Sequence, residues 1–390
     1  MDELKRYLKK LVIRGALTPL RLLPVRKNRV LLINNLSHKY AGNPKYVAEY
    51  LMQEFGEQLE IVICVKKPEA YDHLRQRGFK VVKFNSWQYF VNAMTCKVFL
   101  TNSGGYSYLP MGKKQYAINT WHGGGAYKKC GTDMYSNSPI FRADLKLQGK
   151  QTGAFMSTCS RFTEELSRAL IIPKKVFWEV GMPRNDMLLH PDEDLRRQVR
   201  QSIGLAEDEK LILFAPTYRK EDDNYFRDSI AIDYGVDHNR VVKAMEQRFG
   251  GKWRFAVRYH PNVVNRQDMC SENVLDLTDY EDMQELLLAA DAMINDFSSS
   301  IWDYMLTGKP SFLFAKDLQH YEATTEVYTP VCQWPYPQAV DNDRLEKNIL
   351  EFDEEKYARD CKEHYEKLGG CETGEATRLV CRRIGQLCLE

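Results

Sequence analysis

Several chemistries leave no mark in this sequence. Gly308-Lys309-Pro310 lacks both the upstream glycine and the following hydroxyl of a nucleotide-triphosphate loop, so ATP-driven phosphoryl transfer loses its usual signature. No Gly-x-Gly-x-x-Gly follows an expected strand, and no Gly-x-Ser-x-Gly elbow is present, which removes the marks of NAD-dependent redox and of serine hydrolysis. The ten cysteines never pair as Cys-x-x-Cys, so zinc spacing is missing. No apolar run approaches the ~18 residues of a spanning helix, and charge interrupts the N-terminus where a signal peptide would be apolar. Charge of one sign is missing too. The 55 Lys+Arg nearly balance 53 Asp+Glu, for a net +2, which argues against a nucleic-acid partner.

What is present describes a globular protein. Hydrophobic residues make up 44% and charged residues 28% of 390, a composition for folded domains, and the length suggests two of them. The cysteines sit mostly in apolar runs such as Ile61-Val62-Ile63-Cys64-Val65. They read as reduced, buried thiols of a cytosolic protein. The charge balance hides an asymmetry. Residues 1–29 carry nine basic side chains against Asp2 and Glu3, or +7, so the other 361 residues carry −5. Leu4, Tyr7, Leu8 and Leu11 follow the spacing of one helical face, and the pattern predicts a basic amphipathic helix able to lie on an anionic bilayer. Pro19 and Pro24 should end it.

Short apolar runs then alternate with amphipathic ones. Strands are expected at 29–34, 60–65, 79–84, 97–101, 115–120, 155–159 and 176–180, with helices at 44–55, 69–77 and 162–170. A charged stretch at 191–210 reads as a connector. The alternation resumes with strands at 211–215, 255–259, 274–277, 292–295 and 311–315 and helices at 238–249, 281–290 and 299–306. Apolar strands separated by helices mean parallel sheets. The expected division is a basic segment 1–28, a first domain 29–190, the connector, a second domain 211–370, and a C-terminal helix 371–390 packing back on the first domain. Two doubly wound domains would face each other across a cleft, with chemistry at the carboxyl ends of the strands.

Four stretches fall at such ends. In Trp121-His122-Gly123-Gly124-Gly125-Ala126-Tyr127-Lys128-Lys129, the glycines permit positive φ and close backbone approach, and consecutive amides beside lysines can cradle an anion. His122 can accept a proton near neutral pH. Ala215-Pro216-Thr217-Tyr218-Arg219 offers a hydroxyl and a guanidinium suited to phosphate. In Arg258-Tyr259-His260-Pro261, period-2 alternation would put Arg258 and His260 on one face. Asp296-Phe297-Ser298-Ser299-Ser300 leads into a helix carrying Asp303. Ser298 or Ser299 would cap that helix, whose free amides favour anions. Taken singly, each has a plain structural reading as a turn, an edge or a cap.

Together and in order they resemble the CDP-glycerol glycerophosphotransferase family of teichoic acid and capsule synthesis. The family's Trp-His-Gly…Lys-Lys is matched at 121–129, its Gly-x-Pro-Arg-Asn-Asp at Gly181–Asp186, its Ala-Pro-Thr-x-Arg at 215–219, its Arg-x-His-Pro at 258–261 and its Asp-x-Ser-Ser…Asp-Tyr at 296–304. The resemblance implies an α/β GT-B fold of two Rossmann-like domains. It implies transfer of glycerol phosphate from CDP-glycerol to a hydroxyl of a lipid-linked acceptor, with CMP leaving. His122 and His260 carry over as the catalytic histidines, His122 as general base. Arg258, Arg219, Ser298 and Ser299 would neutralise the donor phosphates, with Thr217, Asp296 and Asp303 toward the nucleotide and Gly123, Gly124, Lys128 and Arg184 completing the set. The arrangement requires no metal or other cofactor. Gly123-Gly124-Gly125-Ala126 departs from the family's common Gly-Thr-Pro-Leu, which bears on the acceptor. A CDP-ribitol transferase, or a GT-B glycosyltransferase using a UDP-sugar, would share the phosphate logic. The implied location is the cytoplasmic face of the cell membrane, held peripherally by residues 1–27.

Overall fold

A computed structural model describes residues 2–217, 229–230, 234–259, 263–264, 273–318, 321 and 327–390. The chain divides into two compact units, one formed by 1–186 with 368–390 and the other by 187–367.

The first unit is built on strands β1 (Arg26–Ile33), β2 (Glu60–Val65), β3 (Lys80–Lys83), β4 (Cys96–Thr101), β5 (Tyr116–Asn119), β6 (Thr152–Ser157) and β7 (Phe177–Glu179). They pair in the order β3-β2-β1-β4-β5-β6-β7, all parallel. Helices α1 (Asp2–Leu17), α2 (Asn43–Phe55), α3 (Asp72–Gln76), α4 (Trp87–Thr95), α5 (Pro139–Gln151) and α6 (Ser160–Ala169) supply most of the crossovers. Strand alternation builds two cores from the same runs. Val30, Leu32, Ile61 and Ile63 pack with Val47 and Leu51 of α2 and with Val380, Ile384 and Cys388 of the final helix, Ala376–Leu389. Leu31, Ile33, Val62 and Cys64 pack on the opposite side with Tyr89 and Ala93 of α4 and Leu17 of α1. Each buried aliphatic side chain contributes roughly 1.5–3 kcal/mol.

One difference from the sequence expectation has a simple cause. The strand expected at 155–159 begins at Thr152, where Gly153 lets the ring of Tyr116 approach to within 2.7 Å of where a Cβ would stand. Helix α1 forms, held to the unit by its polar side chains. Glu3 bonds Ser138, Lys10 pairs with Asp144, and Arg14 donates to the carbonyls of Ser107 (2.6 Å) and Leu109 (2.7 Å) and to Gln151 (2.8 Å). Tyr7 is half-buried, whereas Leu4, Leu8, Leu11 and Val12 face solvent. Polar side chains therefore anchor the helix and its apolar ones are left outside. The helix stops at Leu17, and Pro19 sits in the first turn of a 3-10 segment, Thr18–Leu22.

The second unit follows α7 (Asp186–Leu189). Its strands are β8 (Glu209–Phe214), β9 (Ser229–Ile230), β10 (Lys252–Val257), β11 (Val263–Val264), β12 (Val274–Asp276), β13 (Ala292–Asn295), β14 (Ser311–Phe314) and β15 (Gln338–Ala339). Among the described residues six form a parallel sheet, β12-β10-β8-β13-β14-β15, and β9 pairs with β11. Helices α8 (Glu193–Ser202), α9 (His238–Phe249), α10 (Met283–Ala289) and α11 (Ser300–Met305) flank it, with Asn342–Leu350 and Glu354–Lys367 beyond. The 191–210 stretch, expected as a connector, belongs to this unit and contains α8. Asp291 accepts from Arg196 (2.6 Å) and Arg200 (2.9 Å) of α8 and from the Leu211 amide (2.8 Å), and Val199 enters the core. The described cysteines are free thiols, with Cys64, Cys96, Cys159, Cys381 and Cys388 buried. No described helix is long and apolar enough to cross a membrane.

One ion pair pins the first sheet at its amino end. Arg29 is only 3% exposed and forks onto Glu60 at 2.7 and 3.0 Å while also bonding Thr95. Burial alone would raise the Glu60 carboxyl, but hydrogen bonds from Arg29 and Lys80 outweigh it and lower its pKa to about 2. Its contribution is thus present above the ordinary carboxylate range and is lost as pH falls through about 2. Replacing Glu60 with Ala strands a buried guanidinium and should cost about 3 kcal/mol by urea denaturation at pH 7. A loss below about 1 kcal/mol would reduce the pair to a surface bridge.

Candidate functional site

In the first unit, chemistry gathers where β1, β4 and β5 end. The chain leaves β5 with the Thr120 amide still on the Thr101 carbonyl at 2.8 Å. The Trp121 amide then donates to Asn119 Oδ1 at 2.9 Å, and Trp121 adopts φ +53°. This left-handed residue turns His122 back over the sheet end. The Trp121 ring stacks on His122 with centroids 4.5 Å apart and also lies against Phe155. Of the three glycines only Gly125 takes positive φ, with Ala126 beside it. Gly123 and Gly124 are buried, and the Gly125 amide donates to Thr158 Oγ1 at 3.2 Å. The left-handed bends expected of the glycines thus fall largely on Trp121 and Ala126. Lys128 is half-buried.

His122 Nδ1 lies 2.9 Å from the Asn102 carbonyl. A carbonyl can only accept, so Nδ1 holds the proton and Nε2 presents a lone pair. The Asn102 side chain is itself held, accepting from the Asn35 amide at 2.9 Å and donating to Asn34 Oδ1 at 2.9 Å. Desolvation lowers the His122 pKa to about 4, the bond to Asn102 opposes the shift, and the positive charge of Arg184 adds to it. The imidazole is neutral at physiological pH.

Arg184 lies in a 3-10 turn, Pro183–Asn185. Much of the surrounding motif holds the final helix rather than facing outward. Glu372 accepts from the Met182 amide (2.9 Å) and from Asn185 (2.8 Å). Gly181, at φ +83°, leaves only 2.4 Å between a would-be Cβ and Glu372 Oε2. Asp186 accepts from the first amides of the final helix, Ala376 at 3.1 Å and Thr377 at 2.7 Å.

In the second unit, the loops leaving β8 and β13 are tied by one carboxylate. Asp296 accepts from the Thr217 amide (2.8 and 2.9 Å), from Thr217 Oγ1 (2.7 Å) and from the Phe297 amide (2.6 Å). Asp296 is buried, and Asn295 accepts from its amide at 2.7 Å. Ser298 and Ser299 are half-buried at the start of α11, and Ser299 makes no side-chain cap. Ser298 Oγ accepts from the Ser300 amide, the first of α11, at 3.4 Å and lies 3.0 Å from Ser300 Oγ. Asp303 is buried and accepts from Gln284 at 2.9 Å, so α11 turns it toward α10. β10 ends at Val257, one residue before Arg258. The guanidinium of Arg258 is half-buried, donates to the Tyr280 carbonyl at 3.2 Å and touches Met283 Sδ at 3.4 Å. Its Nε has no hydrogen-bond partner among the described residues. Desolvation lowers its pKa, with Asp282 opposing. Such a cation gains from an arriving anion. Arg219 and His260 lie outside the described residues. Among the described residues, no group of three or more His, Cys, Asp or Glu side chains is placed to hold a metal ion.

The structure therefore gathers His122, Gly123, Gly124 and Arg184 in one unit and Thr217, Asp296 and Ser298 in the other. The asparagines that hold the first group escaped sequence reading. Their signal was there, in polar residues closing apolar strands at Ile33-Asn34-Asn35, Thr101-Asn102 and Ile118-Asn119.

The depressed His122 pKa carries a sign. Below pH 6.5 the unfolded imidazole binds a proton that the folded one refuses, so stability falls as pH drops from 6.5 toward 4. The melting-temperature gap between wild type and His122→Asn should narrow over that range. A constant gap would show that burial does not hold His122 neutral.

The profile of the family described as CDP-Glycerol:Poly(glycerophosphate) glycerophosphotransferase matches residues 17–386. The teichoic acid glycerol-phosphate transferase of Staphylococcus aureus (strain NCTC 8325 / PS 47) is 27% identical, over 98% of this chain and 99% of that one. The teichoic acid poly(glycerol phosphate) polymerase of Staphylococcus epidermidis (strain ATCC 35984 / DSM 28319 / BCRC 17069 / CCUG 31568 / BM 3577 / RP62A) is 25% identical over 87% of this chain but only 48% of its own length. Among solved structures, a variant of the wall teichoic acid polymerase TagF soaked with CDPG shares the fold. It aligns with a TM-score of 0.79 at 22% identity, over 99% of this chain and 97% of that one. Two parallel-sheet units, the ordered strand-end motifs and a family match across nearly the whole chain converge on one conclusion: the chain is a GT-B-like enzyme of the CDP-glycerol glycerophosphotransferase family, the polyol-phosphate transferases of teichoic acid synthesis.

Proposed function

We propose that the protein transfers glycerol phosphate from CDP-glycerol to a hydroxyl of a lipid-linked glycan or polyol-phosphate acceptor. The acceptor oxygen attacks the distal phosphorus, the new P–O bond forms, the bond to the bridging oxygen breaks, and CMP leaves with the electron pair. His122 Nε2 takes the acceptor's proton. The observation that carries this reading is the tautomer, since Nδ1 is committed to the Asn102 carbonyl and Nε2 is left as the basic atom. Phosphoryl transfer asks mainly for positioning and charge neutralisation. Arg258, whose Nε has no partner among the described residues, is a described cation suited to a donor phosphate. Arg219 and His260 belong to the same proposal, as do Ser298, Ser299 and Lys128. The test is CMP release with a membrane extract as acceptor source. Wild type should turn over CDP-glycerol in preference to CDP-ribitol and UDP-sugars, and His122→Ala should lose at least about 100-fold, the scale of general-base catalysis. An unimpaired variant would remove His122 as base, and turnover of UDP-sugars alone would replace the donor.

We further propose that the enzyme works at the cytoplasmic face of the membrane, with α1 as its contact. Leu4, Leu8, Leu11, Val12 and Leu22 are exposed beside Lys5, Arg6, Lys9 and Arg21. Apolar side chains among cations suit an anionic bilayer surface. Deleting residues 1–27 would also remove Leu17 from the core, so paired Leu8→Glu and Val12→Glu changes are the cleaner test. They should abolish sedimentation with phosphatidylglycerol vesicles while leaving the melting temperature within about 2 °C, as for surface substitutions. Unchanged sedimentation would refute the contact.

A further inference from the structure

We propose that Asn43 is a positioning residue for the transfer reaction, a clamp that holds the His122 loop and the Arg184 turn in one geometry. The inference rests on His122 acting as base.

Asn43 opens α2, immediately before Pro44. A polar side chain in a helix's first turn ordinarily points to solvent or caps its own amides. This one is 1% exposed and bonds two other loops. Its Nδ2 donates to the carbonyls of Thr120 (3.2 Å) and Trp121 (3.0 Å). Its Oδ1 accepts from the Arg184 amide at 3.0 Å. The two carbonyls flank the left-handed Trp121, the bend that aims His122. A non-glycine residue persists there only where its surroundings enforce it. Asn43 supplies that enforcement from one side, and Asn119 supplies it from the other through the Trp121 amide.

The same carboxamide ties the His122 loop to Arg184, the charge that bears on His122. The polar partners that fix the loop and the ring, Asn119 and the Asn102 carbonyl, are neutral. One side chain therefore ties the bend that aims the imidazole to the backbone of the Arg184 turn. Alanine cannot make either bond. Serine can keep a single donor but cannot span both loops.

The experiment compares wild type, Asn43→Ala, Asn43→Ser and His122→Ala in CMP release from CDP-glycerol, with thermal melts of each. Asn43→Ala should lower kcat about 10- to 100-fold, the scale of a misplaced catalytic group, with donor KM changed less than about 3-fold. Asn43→Ser should fall between it and wild type. In both, the acid limb of kcat/KM should move up, as a loosened His122 loop admits water to the ring and relieves the desolvation that chiefly lowers its pKa, with the Arg184 charge a lesser cause. A variant with a lower melting temperature but wild-type kcat and acid limb would make Asn43 a purely structural residue and overturn the clamp. If His122→Ala stays active, the base assignment fails and the clamp with it. If only His122→Ala is impaired, the clamp alone fails.

Discussion

Parallel sheets satisfy their backbone within the ladder and leave it unsatisfied at the carboxyl ends, where the strands turn away. In this protein asparagine and aspartate side chains fill that deficit. Asn34, Asn102 and Asn119 do so at the ends of β1, β4 and β5, while Asn295 and Asp296 do so beyond β13. A buried amide or carbonyl without a partner costs roughly 1–3 kcal/mol, so these side chains are obliged to take one geometry. The chemistry rides on that obligation. His122 is held by a backbone carbonyl which is itself held by the Asn34–Asn102 pair, and Thr217 is held by Asp296.

This arrangement differs electrostatically from a histidine oriented by a carboxylate. A carbonyl fixes the tautomer without a full negative charge to stabilise the imidazolium. Desolvation and Arg184 then keep the ring neutral. An imidazole held in this way has low proton affinity.

The ordered motifs therefore contain two kinds of residue. His122 and Arg258 keep polar atoms without a partner among the described residues. Gly181, Asn185, Asp186, Asp296 and Asp303 are absorbed into the fold, the first three docking the final helix, Asp296 joining two loops, and Asp303 meeting Gln284. Spacing along the chain does not separate these classes, because an aspartate reads the same whether it faces a ligand or a backbone amide. The separation depends on what stands opposite, and Glu372 lies nearly two hundred residues from the glycine it excludes from substitution.

Much of the architecture was legible beforehand for a local reason. Runs such as Glu60–Val65 and Ala292–Asn295 carry a strand pattern within themselves, and His238–Phe249 carries a helical one. Each was placed from its own residues, but the part played by the polar residues ending the core strands was not. The amphipathic pattern of α1 was legible as well, but not its anchors. Those are Asp144, Ser107 and Leu109, which Lys10 and Arg14 bond. By itself the sequence determined two parallel α/β units, a basic N-terminal helix and the family. Tertiary structure alone decided which side chains remain available for chemistry, because hydrogen-bond satisfaction is settled between segments far apart in the chain.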